Sequence, residues 1–333
     1  MTGTRKSIRV GMIGCGGNAR GHMRRLANME GVEIVGLCDP SEAAIKATHE
    51  ALPDTQELPA FADHRELLAE VEMDAVEIST PHTLHYQQIV DSLRAGLHVC
   101  CEKPMVCTVA HAKSVIEEAE QSGKVMLVSY QRHYQAPYRY CRELMASGEV
   151  GKVNCLTALQ SQDWYRRQVG SKTWRSQMKW SGGGQLNDSG SHLLDIILWM
   201  TGLQPAQVFA FQENLEAEVD IISAIDVRFD GSALGTLAVV GHAVNFFEEI
   251  TIWCEEATLG IRGQEIWLWR DEQKQVLSGA TLGRTWTPDE NFVAAIRGKE
   301  DVQSGPDDAL KVIQLSEASW ASAASGRPER VAR

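Results

Sequence analysis

The 333-residue chain lacks any apolar run long enough to cross a bilayer. Residues 1–7, Met-Thr-Gly-Thr-Arg-Lys-Ser, lack the apolar core of a signal peptide, and an apolar strand pattern begins at once. The expectation is a protein of the cytoplasm, with no membrane partner. Basic clusters are also missing. The net charge is −12 and no run of Lys or Arg occurs, which argues against binding nucleic acid, because phosphates need clustered cations. None of the eight cysteines forms a C-x-x-C pair. They read as buried thiols of a reducing compartment, and their spacing indicates no metal site. Internal repeats and low-complexity segments are absent too.

What is present starts at Ile8. An apolar segment, Ile8-Arg9-Val10-Gly11-Met12-Ile13, runs into Gly14-Cys15-Gly16-Gly17-Asn18-Ala19, and a helix-compatible run follows. This is the G-x-G-x-x-(G/A) loop in its working place between strand and helix. Gly14 permits the tight turn. Gly16 has no Cβ, so a pyrophosphate can lie on the backbone, and Ala19 allows close helix–strand packing. The helix start offers N–H groups and its positive dipole end to phosphates. A second apolar run ends at Asp39, at the distance expected for a carboxylate on the ribose hydroxyls. Pro40 and Ser41 follow, with no Arg or Lys before Lys46. A ribose 2′-phosphate would meet an anion and no cation, so the reading is NAD rather than NADP.

The first part of the chain alternates apolar strands (near 8–13, 33–39, 75–79, 98–101 and 125–129) with helices (near 18–29, 41–51, 65–71, 84–95 and 110–122). Ser41 and Thr108 suit N-caps, and Gly96 and Gly123 suit helix ends. This pattern predicts a parallel sheet covered on both faces, with ligands at the carboxyl ends of its strands. Beyond residue 129 the strands lengthen (near 153–163, 207–212, 221–229, 234–241, 247–254 and 266–270), with helices near 138–147, 191–201, 290–297 and 307–321. Asp230-Gly231 is a hairpin signal. The fold class expected is α/β: a Rossmann domain over 1–129, then an α+β domain over 130–333 on a largely antiparallel open sheet, the last helix packing back on the first domain. Too few helices are predicted to cover both faces of that sheet. Its spare face suits a homodimer or homotetramer contact.

Two further segments carry chemistry. Glu102-Lys103-Pro104 directly follows a predicted strand, and Pro104 keeps Lys103 out of helical angles and permits a cis bond. Later, three glycines at 182–184 precede Gln185-Leu186-Asn187-Asp188-Ser189-Gly190-Ser191-His192. Asp188 and His192, four apart, would share a helix face, with Asp195 one turn on. The glycines would let the backbone approach a ligand. Between the first long strand and these glycines lie Trp164, Tyr165, Arg166, Arg167, Trp174, Arg175 and Trp180, flat rings and hydrogen-bond donors suited to a sugar. His82, His111, His133 and His242 show no partner in sequence and read as structural or surface.

Taken in order, the loop at 14–19, Ser79-Thr80-Pro81 with His85, Glu102-Lys103-Pro104, Gly182 to His192 with Asp195, and the segment from Gly305-Pro306-Asp307 to Gly326 resemble the Gfo/Idh/MocA oxidoreductase family along essentially the whole chain. That family includes glucose–fructose oxidoreductase and inositol dehydrogenases. The resemblance implies that Lys103 contacts nicotinamide ribose and substrate, and that Asp188 and His192 stand beside the reacting hydroxyl. It implies that Ser79, Thr80, Pro81, His85 and Glu102 line the cofactor, with Gln131 and Arg132 near the nicotinamide; Arg132, together with Trp164 and Trp174 read above from their side chains, is expected toward substrate. Oxidation of a secondary hydroxyl of a sugar, cyclitol or polyol is the expected reaction, at a site between the domains. His192 is the expected proton acceptor and Lys103 stabilises the alkoxide, although Lys103 as the base stays open. A transient oxidation serving glycosidase, epimerase or dehydratase chemistry is the nearest alternative. A nucleotide-binding regulator without catalysis is the alternative of another class.

Overall fold

The computed structural model describes residues 7–278 and 282–333. The chain divides into two compact units. One comprises the chain up to Val106 with Ala110–Ser129 and Thr287–Pro306, and the other comprises Cys107–Val109, Tyr130–Trp286 and Asp307–Arg333.

The first unit runs β1 (Ile8–Ile13), α1 (Gly17–Ala27), β2 (Val32–Cys38), α2 (Glu42–Ala51), β3 (Ala60–Phe61), α3 (His64–Glu70), β4 (Ala75–Ile78), α4 (His85–Arg94), β5 (His98–Cys101), α5 (Val109–Ser122) and β6 (Met126–Val128). All neighbours are parallel, in the order β3-β2-β1-β4-β5-β6. This is the doubly wound order whose direction reverses beside β1, where ligands gather at strand ends. β4 is buried along its whole length, as a sheet covered on both faces requires. Ser41 caps α2 by accepting the Ala44 N–H. With two residues, β3 is too short to show a period in sequence.

The second unit holds α6 (Ala136–Ala146), β7 (Val153–Asp163), α7 (Met178–Ser181), α8 (Ser191–Thr201), β8 (Pro205–Glu213), β9 (Ile222–Phe229), β10 (Leu234–Val240), β11 (His242–Cys254), β12 (Thr258–Arg262), β13 (Glu265–Arg270) and β14 (Gln273–Ser278). The chain then gives α9 (Pro288–Ile296) to the first unit before α10 (Pro306–Ser325) and β15 (Glu329–Arg330) complete the second. A cut at residue 129 therefore misses a return. The return is made by α9, whose Phe292 and Val293 fill the core around Val10, Met12 and Leu127.

The second sheet has nine strands, β14-β13-β12-β11-β7-β10-β9-β8-β15. Only β7–β10 is parallel; every other pair is antiparallel. The Asp230-Gly231 turn joins β9 to β10, with Gly231 at φ 82°. Helix α8 lies against β7 and is buried all round, so its apolar pattern shows no single stripe. On the other face Leu159, Phe211, Leu234, Trp253, Trp269 and Val276 stay exposed. Strand register sets Trp269, Thr258, Trp253, Cys155 and Leu234 in one row across it. Among the described residues no helix is long and apolar enough to cross a membrane.

Candidate functional site

The glycine loop is built as its sequence requires. Gly14 has φ 99°, and a Cβ there would stand 2.5 Å from the Ser79 carbonyl oxygen. Only glycine lets β1 turn that close to the end of β4. Cys15 and Ala19 are fully buried, and burial pushes the Cys15 thiol up to about 12, so it is inert packing. Gly16, Gly17 and Asn18 face outward, with nothing within 4 Å of a Cβ on either glycine. No side chain caps α1, which leaves its first N–H groups for an anion. Asp39, just after β2, is held in place by the backbone. One carboxylate oxygen accepts the Cys15 N–H at 2.9 Å and the other accepts the Ser41 N–H at 2.8 Å. Pro40 beside it is exposed. Open glycines, a bare helix start and a fixed carboxylate together fit a dinucleotide.

Two more loops close the same strand edge. After β4, the Thr80 hydroxyl donates to Gln88 at 2.6 Å. After β5, Lys103–Pro104 is a cis bond. His85 braces the two: its ring nitrogens stand 2.8 Å from the Pro104 oxygen and 3.0 Å from the Thr80 oxygen. The ring is fully buried, and burial lowers its pKa against the pull of those carbonyls. His85 thus ties the two loops together. Pro81 leads into the short turn that starts α4.

Beneath Lys103 lies a cluster of ionisable groups that the sequence did not reveal. Glu102 is close to His22 of α1, whose Nε2 is 3.1 Å from Glu102 Oε1. The other ring nitrogen, Nδ1, is 2.7 Å from Asp289 Oδ1 of α9, and Arg25 donates to the second Asp289 oxygen. Glu77 of β4 is 3.7 Å from the same imidazole and accepts the Ser79 hydroxyl at 2.6 Å. Burial works against a charged His22, but Glu77, then Asp289 and Glu102, hold its pKa well above the usual range. Burial likewise opposes ionised Glu102 and Asp289, yet His22 holds both low. At Glu77 burial wins and lifts the carboxyl to about 7. No local motif announces this cluster, because its members come from positions 22, 25, 77, 102 and 289.

In the second unit, the stretch Leu186–Gly190 is a π-helical turn, with the Gly190 N–H on the Gln185 oxygen at 2.8 Å. This widened turn, of a kind found at functional sites, replaces the plain helix that the Asp188–His192 spacing suggested. Asp188 sits in the turn, where its carboxylate accepts from Trp164 Nε1 at 2.8 Å and stands 3.3 Å from Arg175 Nε. His192 is on the first turn of α8, edge-on to the Tyr130 ring. A cavity of about 360 Å³ is lined by Asp188, Ser189, Gln162, Asp163, Trp164, Arg167, Gln168, Arg175, Val244, Asn245 and Phe246. Neither His192 nor Trp174 is among its lining residues.

Several side chains stand elsewhere than the sequence suggested. The close approach made by Gly184 is to protein, not ligand: a Cβ there would lie 1.9 Å from the Asp220 oxygen. Buried Asp220 accepts the Gly184 and Leu186 N–H groups and Trp320 Nε1. Arg132 is engaged by Glu248 at 2.7 Å and by the His192 carbonyl at 3.3 Å. Gln131 beside it is exposed. Trp174 lies under the Arg175 guanidinium, 4.3 Å away. His133, without a partner in sequence, is buried on Asp195 at 2.9 Å and stacks on Trp199.

Comparison with known proteins agrees with this architecture. Residues 8–130 match the description "Oxidoreductase family, NAD-binding Rossmann fold" and residues 138–260 match "GFO/IDH/MocA C-terminal domain". The chain is 28% identical over 202 residues to D-glucoside 3-dehydrogenase of Escherichia coli (strain K12), covering 60% of this chain and 55% of that one. It is 29% identical over 205 residues to inositol 2-dehydrogenase of Corynebacterium glutamicum (strain R), covering 61% and 57%. The matches thus span little more than half the length of these relatives. In fold, the chain is similar to the WlbA dehydrogenase of Bordetella pertussis, solved with NADH and UDP-GlcNAcA: TM-score 0.85, 22% identity, 98% of this chain and 100% of that one. With both halves matched and its first unit an NAD-binding Rossmann domain, the chain belongs to the Gfo/Idh/MocA oxidoreductase family.

Proposed function

We propose that the protein oxidises a secondary hydroxyl of a sugar, cyclitol or related polyol with NAD⁺. The observation that carries this reading is the Asp188-lined cavity: it presents amide, guanidinium and carboxylate groups with two flat rings, Trp164 and Phe246, a lining suited to a polyhydroxylated ring. Named activities of the relatives, on a glucoside and on inositol, support the same substrate class.

In the reaction the carbinol C–H bond breaks with its electron pair, the O–H proton leaves to a base, and a C=O bond forms. Bound NAD⁺ supplies the hydride acceptor. Gly14, Cys15, Gly16, Gly17, Asn18 and Ala19 would cradle its phosphates, Asp39 its ribose, and Ser79, Thr80, Pro81, His85 and Glu102 would shape the nicotinamide end. Lys103 stabilises the developing alkoxide. His192 takes the proton, and Asp188 orients the hydroxyl while Arg175 and Trp164 hold its carboxylate in place. Arg132, Trp164 and Trp174 complete the substrate side, Arg132 by fixing the His192 backbone. The exposed aromatic row on the nine-stranded sheet supports assembly into a dimer or tetramer. All eight cysteines are free, which supports a cytoplasmic setting.

Incubation with NAD⁺ and a panel of sugars and polyols tests the reading. Absorbance of the reduced nicotinamide should rise with at least one member. Product formation without that rise would instead favour transient oxidation. Cofactor binding with no turnover on any member would favour a regulator.

A further inference from the structure

We propose that His22 is a positioning residue for Lys103: the buried chain Asp289–His22–Glu102 fixes the backbone turn from which Lys103 projects. The inference rests on the reading of Lys103 given above. The chain of contacts is continuous. The Lys103 N–H donates to Glu102 Oε2 at 3.2 Å, Glu102 Oε1 meets His22 at 3.1 Å, and His22 meets Asp289 at 2.7 Å. His22 and Asp289 are almost wholly buried, and the Glu102 side chain is 15% exposed. One imidazole thereby ties together the helix that begins on the glycine loop, the Glu102-Lys103-Pro104 turn and the returning helix α9. Lys103 has a long flexible stem, so its backbone anchor sets where the ammonium can reach.

Stability alone does not explain the cluster. Three carboxyl groups and an imidazole are taken from water here, and apolar residues of similar size would generally serve a core as well or better. The groups facing His22 are Glu77 on β4, Glu102 after β5, Asp289 on α9 and, through Asp289, Arg25 on its own helix. With His22 charged, Glu102 keeps the ionised form that accepts the Lys103 N–H. A neutral side chain at position 22 removes that cation and frees the turn.

The test reads Lys103 directly. Lysines are dimethylated with ¹³C-formaldehyde, and the Lys103 signal is assigned by its loss in Lys103→Arg. In His22→Gln and in Asp289→Asn, the Lys103 signal should move toward the position of solvent-exposed lysines, while signals of lysines in the second unit, such as Lys152, stay put. On any polyol that wild type oxidises, kcat should fall about 10- to 100-fold without a comparable rise in KM. An unmoved Lys103 signal in a folded variant overturns the proposal. So does failure of both variants to fold, which would make the cluster a scaffold only. Because the methyl signal needs no substrate, absence of polyol oxidation would refute the proposed reaction and leave this test standing.

Discussion

The two sheets solve burial differently. The six-stranded parallel sheet is covered on both faces, its strands are nearly continuous apolar runs, and its ligand loops follow the strand ends in order. The nine-stranded sheet covers one face only and alternates, leaving Trp253 40% and Phe211 68% exposed. Loops at strand ends carry short local signals. A cavity assembled from positions 162–164, 167–168, 175, 188–189 and 244–246 carries almost none. The difference teaches where sequence is informative: at turns that need particular backbone angles, and much less where side chains meet across long separations.

The sharpest way to break this comparison is at the two glycines. Gly184→Ala drives a Cβ into the Asp220 backbone and should destabilise the second unit by at least about 3 kcal/mol, read by thermal unfolding. Gly14→Ala, strained at φ 99° and against Ser79, should weaken NAD⁺ binding by about 100-fold or more, read by calorimetry. A Gly184 variant as stable as wild type would contradict the packing role found for that glycine.

The open face gives the next test. Trp253→Glu places a charge in the row between Thr258 and Cys155. The assembly proposed for this face predicts that sedimentation of the variant shows single chains with the fold intact. An unchanged sedimentation coefficient would remove this face from assembly.

Glu77 gives a smaller, pH-dependent effect. Its carboxyl is raised from 4.5 to about 7, chiefly by burial. A raised acid contributes stability that is present below its unfolded pKa and is lost as pH rises through about 7. Glu77→Gln should therefore be more stable than wild type at pH 8, by about 1–3 kcal/mol, with the gap closing toward pH 5. His22 opposes that gain if its charge needs Glu77, and a less stable variant at pH 8 would show that it does.

An effect of similar size is expected at Asp39. Asp39→Ser should lower NAD⁺ affinity by about 1.5–3 kcal/mol and narrow the preference over NADP⁺. Equal discrimination in the variant would place the ribose elsewhere.

Much of this molecule was legible before its structure. The parallel sheet followed from alternating strands and helices, and the family from motifs at 14–19, 79–85, 102–104 and 182–195. Three features were not. Helix α9 returns to the first unit because Phe292 and Val293 fit a gap beside β1, which no local pattern shows. The glycines at 183–184 signalled close approach correctly, but sequence cannot say that the neighbour is Asp220 and Trp320 rather than a ligand. His22 and His133 looked ordinary because their partners lie 267 and 62 residues away.

One measurement bears most directly on the central claim. NAD⁺ and the polyol panel are followed by reduced-nicotinamide absorbance with wild type, Lys103→Ala and His192→Ala. The account predicts accumulation with wild type, and loss of at least about 100-fold in kcat in both variants while NAD⁺ still binds. Turnover that survives in both variants, or NAD⁺ binding with no turnover of any polyol by wild type, would contradict it.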